Sequence, residues 1–481
     1  MILSLMCRRS VSTFGGLTSE QFMKSPLNEP VLTYLKGSQE RKALEAELDN
    51  LSQNAVQVPL VIGGNKLFRK EGSRKQIMPF NHTNTIAHFN YATAEDIEEA
   101  IKSAMGAREA WERKPLKERA DIFLHAADLC AGKYRMRLNA ATMLGQAKNI
   151  QQAEIAVLSN YIAFEALLEA GIPPGVISFL PSDGPTFGNT ICANRHLAGI
   201  NFTGSMPTFL YLYNSVAKNM GKYVTFPRLV GECGGKNFHF VHSSANIDIV
   251  VPCTLRAAYE YQGQKCSACS RFFVPKSLWP KIKDGLINLA NQVKIGDVRD
   301  GSIFMSAVID DKAFKRIKSY IDYAKNGNDG MEIIYGGKCD DSKGYFVQPT
   351  IIEVKDVNSK LLTEEIFGPV LAVYVYPDDE SFKYLKSLKN STPYGLTGAV
   401  FGEDKQFLET AKDVLRDAVG NLYLNDKCTG AVVGQQPFGG ARQSGTNDKA
   451  GGLHYLLRWT SPQTIKETTS PQTEWRYPNM D

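Results

Sequence analysis

The sequence predicts an α/β fold in more than one domain, and two observations predict it. From Val176 onward, short apolar runs alternate with helical stretches. That is the pattern of parallel sheets whose ligands sit at the carboxyl ends of the strands. At 481 residues the chain is also too long to close around a single core. Its composition, 43% hydrophobic and 22% charged, is that of a globular protein. The net charge of +5 is spread without a basic block, so nothing in it points to nucleic acid. No apolar run is long enough to span a bilayer.

Taken in order, the chain opens with MILSLMCRRSVSTFGGLTSEQF, where Arg8 and Arg9 stand among Ser and Thr with no acid before Glu20. This is the composition of a mitochondrial transit peptide. Glu40–Leu51 reads as an amphipathic helix. Val58–Ile62 and Gln76–Met78 read as strands, with a turn at Gly63-Gly64. The triplet Pro79-Phe80-Asn81 follows, ahead of the first long helices. Thr93 suits the N-cap of a helix through about Trp111, with Ile97, Ile101, Ala104 and Met105 on one face. Pro115 suits the first turn of the next helix, whose inward face is expected to carry Ala120, Phe123, Leu124, Ala127 and Leu129. Further helices are expected near Arg135–Gln146 and Asn149–Ala170.

Alternation begins at the strand Val176–Leu180, followed by a helix at Pro185–Ala193. A strand at Gly199–Phe202 then turns through Thr203-Gly204-Ser205 into a helix at Pro207–Asn219. A strand end meeting a helix N-terminus at Gly-Ser suits a phosphate group. Leu229–Val230 and Asn237–Val241 follow as strands. In the second half, strands are expected at Ala268–Pro275, Gly344–Glu353, Val370–Tyr376, Thr397–Phe401 and Gly420–Leu424. Helices are expected at Lys312–Asn326, Phe382–Ser391 and Lys405–Leu415.

Chemistry concentrates in Arg228–Arg271. Glu232 lies in ECGGKN and Cys266 in GQKCSAC, each in a glycine-rich loop that lets backbone approach a bound group. A thiolate is a nucleophile and a carboxylate can serve as its base or as the base for a water. The expected helix Asp248–Tyr261 would bring both loops to one end. Other readings stay open on these residues alone. Cys266 and Cys269 form a C-x-x-C that could be half a zinc site or a redox pair, although no second C-x-x-C or H-x-x-x-H follows. A thiol protease would draw its base from His239 or His242. Nine cysteines, scattered and odd in number, suit a reducing interior.

Four motifs decide among these readings. ECGGKN, GQKCSACSR, EEIFGPVL at Glu364–Leu371 and QQPFGGARQSGTNDKAGG at Gln435–Gly452 resemble, in order and separation, the aldehyde dehydrogenases. Within them INFTGSMPTF, YFVQPTIIE, YGLTGAVF and HYLLRWTSPQTIKET resemble the mitochondrial Δ1-pyrroline-5-carboxylate dehydrogenases. The resemblance runs from about Asn28 to the C-terminus. It implies the aldehyde dehydrogenase fold: a transit peptide (residues 1–23), a Rossmann-like NAD-binding domain (24–236), a catalytic domain (237–430), and a return to the cofactor domain with an oligomerisation strand in Pro462–Thr469 (431–481). It also implies NAD as cofactor, a homodimer and the mitochondrial matrix.

The same resemblance exposes a gap. After QAEI, Gln152–Ile155, the chain passes straight to AVLSNYIAFEALLEAGIPPGVISF, near residues 155/156. Family members place a long segment here, with the first two strands of the cofactor sheet and their crossover helix. With it go an SPFNF turn, whose asparagine donates to the oxyanion, and a WKPSD turn, whose lysine holds the cofactor ribose. The adenosine ribose pocket goes as well, so NAD over NADP stays open.

The family's roles fall on residues that remain. Cys266 is the implied nucleophile and Glu232 the base. Gly204, Ser205, Met206, Pro207 and Thr208 form the implied dinucleotide turn, with Glu365 and Phe367 at its nicotinamide half. Ser267, Gly430, Ala431 and Phe438 are the implied substrate anchor, for glutamate γ-semialdehyde. No metal is expected. The competing expectation is a shortened, non-catalytic form that acts at most as a partner of full-length subunits.

Overall fold

The structure, a computed structural model, describes residues 29–153, 159–327 and 330–480. The expected transit peptide and the 155/156 junction lie outside these residues.

The first part is a helical layer on a small sheet. Helix α1 (Gln39–Gln53) starts where the Ser38 hydroxyl accepts the Arg41 amide. It buries Leu44, Leu48 and Leu51 against Met78, Phe80 and Ile86 of the sheet and Ala140, Met143 and Leu144 of a later helix. Strand β1 (Val56–Val58) is followed by a hairpin, β2 (Leu60–Ile62) and β3 (Asn65–Leu67), turning at Gly63-Gly64. Strand β4 (Arg74–Met78) runs antiparallel to β5 (Asn81–Phe89), and β1 pairs with β5 in parallel. Asn81 is the first residue of β5.

Helix α2 (Ala94–Arg113) begins with a capping box, Thr93 and Asp96 each bonding the other's amide. Arg69 adds two bonds to Asp96, at 2.5 and 2.8 Å. Helices α3 (Leu116–Ala131), α4 (Arg135–Gln146), α5 (Ile150–Ala153) and α6 (Ser159–Glu169) follow. The expected inward face of α3 is wrong in its centre. Phe123 and Leu124 stand 47% and 64% exposed, and Ala127 is exposed too. The helix turns the Ala126 side inward instead and packs on α4 and α6. The stripe read from the spacing exists, but no described element covers it.

The cofactor-type sheet is reduced to a pair. Helix α7 (Gly184–Ala193), strand β6 (Gly199–Thr203), helix α8 (Met206–Asn219) and strand β7 (Arg228–Glu232) form one unit. β6 and β7 run parallel from Gly199↔Arg228 to Thr203↔Glu232. Ile200, Phe209, Leu212, Val216 and Leu229 make its core. Among the described residues β6 pairs with β7 alone. The strand expected at Val176–Leu180 does not form. Phe179 makes only a two-way bridge to Val61, at 2.9 Å each way. An apolar run needs a neighbour to become a ladder, and here the nearest free backbone belongs to β2.

The second half is a seven-stranded sheet. In chain order its strands are β8 (Asn237–Val241), β9 (Cys269–Pro275), β10 (Glu332–Tyr335), β13 (Thr350–Val354), β14 (Val370–Tyr376), β16 (Thr397–Phe401) and β17 (Asn421–Leu424); the short pairs β11 (Cys339–Asp340) with β12 (Phe346–Val347) and β15 (Tyr394–Gly395) with β18 (Ala441–Arg442) lie outside it. The spatial order is β10-β13-β14-β9-β8-β16-β17, parallel except for β10 at the edge. Helices α9 (Ile247–Tyr259), α10 (Trp279–Gln292), α11 (Asp311–Lys325), α12 (Lys360–Thr363), α13 (Ser381–Ser387) and α14 (Lys405–Val414) accompany it. The strand β10 and the helix α10 were not read from the sequence. Central strands bury Phe238, Phe240, Phe272, Phe273 and Val400, as doubly covered parallel strands do. Pro462–Thr469 forms no strand within the chain, and Ile465 stands 80% exposed. No helix among the described residues is long and apolar enough to cross a membrane.

Candidate active site

Strand β7 ends at Glu232 and β8 begins at Asn237, so the ECGGKN turn crosses from the two-stranded sheet to the large one. The close packing there tolerates no side chain at Gly234, where an added Cβ would run into the Glu365 carboxylate. The Gly235 amide donates to that carboxylate at 2.8 Å.

The nucleophile loop is held from several sides. After α9, Tyr261 and Gln262 take the left-handed conformation, φ 51° and 55°. Both are non-glycine residues in a costly region, kept there by their surroundings. The Gln262 amide nitrogen donates to the carbonyls of Ala147 and Ala307, at 3.0 and 2.7 Å. Gly263 lies against the Gly368 carbonyl, which a Cβ would strike. Asn237 closes the loop. Its amide nitrogen donates to the carbonyls of Cys266 (2.7 Å) and Ala268 (2.9 Å), and its oxygen accepts the Thr397 amide at 3.0 Å.

The electrostatics follow from burial. The Cys266 thiol is pushed up to about 12, first by burial and then by the carboxylates of Glu232 and Glu365. The amides of Ser267 and of Cys266 itself pull the other way. Burial pushes Glu232 up to about 7, against a bond from the Gly440 amide and the charge of Lys449. One Glu232 oxygen is buried without a partner. A carboxyl that titrates near neutrality is suited to take a proton from water. Lys236 is buried beneath and pushed down to about 7, by burial and then by Arg271.

The implied anchor also assembles. The Ser267 hydroxyl bonds the Thr429 hydroxyl at 2.7 Å, which ties the nucleophile loop to Gly430 and Ala431. Gly430 has φ +90°, a left-handed turn that suits glycine. Phe438 lies two residues from Gly440, whose amide holds Glu232, and its own amide donates to Ala450 at 2.8 Å. The dinucleotide turn is joined to the same point, because the Gly204 amide donates to the Glu232 carbonyl at 3.1 Å. Ser205 caps α8, with Met206 and Pro207 in the first turn and the Thr208 hydroxyl 2.8 Å from its own. This exposed helix N-terminus fits a diphosphate. Phe367 is 38% exposed with φ 55°.

The comparisons then decide the family. The pattern of the aldehyde dehydrogenase family matches residues 68–159 and, overlapping, 137–465. This chain belongs to the aldehyde dehydrogenase family. Among its relatives it is similar to the mitochondrial delta-1-pyrroline-5-carboxylate dehydrogenase of Danio rerio, 46% identical over 531 residues, 94% of this chain and 95% of that protein. The Homo sapiens protein of the same name is 45% identical, covering 94% of each. Among solved structures it is similar to the Delta-pyrroline-5-carboxylate dehydrogenase of Mycobacterium tuberculosis bound with NAD, with a TM-score of 0.90 and 38% identity, over 95% of this chain and 98% of that one. An alignment of 531 residues exceeds the 481 of this chain. The relatives therefore carry a stretch that this chain skips, as the motif order indicated.

Of the expected site residues, Cys266, Glu232 and Glu365 lie close enough for the carboxylates to act on the thiol, Gly204 bonds Glu232, and Ser267 bonds Thr429 beside Gly430. Asn237, Gln262, Thr429 and Lys449 were missed. Asn237 alone left a signal, as the last residue of ECGGKN. The others act through contacts between distant segments, Gln262 and Lys449 on backbone carbonyls and Thr429 on the Ser267 hydroxyl, which spacing does not reveal.

Proposed function

We propose that this chain oxidises L-glutamate γ-semialdehyde, the open form of Δ1-pyrroline-5-carboxylate, to L-glutamate with NAD in the mitochondrial matrix, as a homodimer. The observation that carries it is the placement of Cys266 and Glu232 beside the anchor loop, through the Ser267–Thr429 bond.

The Cys266 sulfur attacks the aldehyde carbon, and its amide, together with that of Ser267, faces the developing charge. NAD, when bound, supplies the acceptor for the hydride; Gly204–Thr208 would hold its diphosphate and Glu365 its nicotinamide ribose. Glu232 then takes a proton from the water that opens the Cys266 thioester, and glutamate leaves with the thiol restored. Small residues at Gly430 and Ala431 leave amides free to meet the substrate carboxylate, and Phe438 packs on its methylene chain. The tail Pro462–Thr469 would add a strand to a partner's sheet.

The relatives' names support this reading over a non-catalytic one. Incubation with the semialdehyde and NAD tests it. NADH formation that disappears in Cys266→Ala supports it, and a chain that makes no NADH with this or any other short aldehyde overturns it.

A further inference from the structure

We propose that His239, Cys269 and Cys428 form a site for a thiophilic d10 cation of the Zn2+ class, directly beneath the catalytic loop. The three residues come from β8, the first residue of β9 and the loop after β17, so no sequence motif joins them. Their exposures are 0%, 2% and 0%, and their ligand atoms all lie within 4.8 Å of one another. Two sulfurs and an imidazole nitrogen are the donor set of zinc-class ions, and not of magnesium or calcium.

The surroundings are prepared for such an ion. The Thr254 hydroxyl engages His239 Nδ1 at 2.9 Å, which orients the ring and leaves Nε2 toward the cysteines. Nε2 now accepts the Cys428 amide at 3.2 Å. The Ser267 carbonyl lies 3.4 Å from Cys428 Sγ and can complete four-coordination. In a tetrahedral site with Zn–S of about 2.3 Å, neighbouring sulfurs stand about 3.8 Å apart, so only a modest contraction is needed. Binding breaks two S–H bonds and forms two S–metal bonds, and two protons leave to buffer. No oxidant or reductant is involved. Two thiolates neutralise a dication, so no net charge is buried.

The site touches the reaction. Cys428 precedes Thr429, the partner of Ser267, and Cys269 lies three residues from Cys266. An ion here grips both halves of the substrate loop.

The test uses the full chain, stripped of metal, titrated with Cd2+. The expected result is a sulfur-to-cadmium absorption that saturates at one ion per chain with release of about two protons. It persists in Cys266→Ala, disappears in Cys428→Ser and in Cys269→Ser, and His239→Asn weakens the ion about 10-fold or more. Cadmium-113 NMR of the unsubstituted chain gives a readout that no folding defect can obscure, and a single resonance of a two-sulfur, one-nitrogen set is expected. A resonance of oxygen and nitrogen ligands, no saturating absorption, an absorption untouched by Cys428→Ser, or one lost in Cys266→Ala each overturns the site.

Discussion

Burial raises both Glu232 and Cys266, and the Glu232 carboxylate raises the Cys266 thiol further. With Glu232 pushed up to about 7, the carboxylate that must accept a proton from water is half formed near neutrality. Turnover is therefore expected to rise with pH through about 7, and a flat profile between 6 and 8 would exclude Glu232 as the base. In Glu232→Gln steady-state turnover should fall by about 10²–10⁴ while a first acylation survives, seen as a burst of nitrophenolate from an ester. Access separates Cys266 from its neighbours Cys233 and Cys269, which are buried, whereas Cys266 is partly open, as are Cys130, Cys253 and Cys339 outside the loop. The glycine-rich loop and its amides set Cys266 apart from those three. Iodoacetamide should modify Cys266 first, at a rate that increases with pH because burial and two carboxylates hold the thiol up. Peptide mapping that finds Cys233 or Cys269 labelled first contradicts the assignment.

The elements around the site are held together by backbone bonds between distant loops, and Asn237 is the clearest case. It stands at the start of β8, yet it fixes two carbonyls of the Cys266 loop and the first amide of β16. Asn237→Ala leaves those buried groups unpaired, at a cost of about 2–3 kcal/mol. The melting temperature should drop, and kcat should fall, since the thiol is misplaced; KM should rise as well, because the two carbonyls that Asn237 holds flank Ser267 of the anchor. Equal kcat in the variant would show that Gln262 and the Gly263–Gly368 contact hold the loop without it. At the other side, among the described residues β6 has β7 as its one partner, and the Phe123–Leu124 face of α3 is exposed.

For the whole molecule, the large sheet and the reduced cofactor pair have different completeness. Cys266, Glu232, Ser267, Gly430 and Ala431 are all present, whereas the family resemblance implies that the asparagine donor and the ribose lysine belong to the skipped segment. Loss of one oxyanion donor costs about 10²–10³ in turnover. Esterase activity toward a nitrophenyl ester, abolished in Cys266→Ala, is therefore expected beside dehydrogenase activity at least ~10² below that of an unshortened relative. NAD should bind weakly by calorimetry. Tight binding with full dehydrogenase turnover would show that Gly204–Thr208 and Glu365 suffice. The tail is tested separately: truncation before Pro462 should lower the mass measured by light scattering if its strand joins two subunits.

By itself the sequence determined the family and the alternation of the second half, and it named the nucleophile and base proposed above. These rest on local signals: apolar period, glycine beside a reactive side chain, a capping residue such as Thr93, and motif order. Tertiary structure alone decided what depends on neighbours. Val176–Leu180 has the composition of a strand but bridges only Val61, because a strand exists only where another backbone lies beside it. Phe123 and Leu124 have helical spacing for burial, but nothing among the described residues covers them. The edge strand β10 pairs with β13, which follows it in the chain, and its short run gave no period to read. Asn237, Thr429 and Cys428 acquire their roles only when β8, β9 and the loop after β17 converge beneath Cys266, since a contact between residues up to 189 apart is a property of the packed sheet and not of any window of the chain.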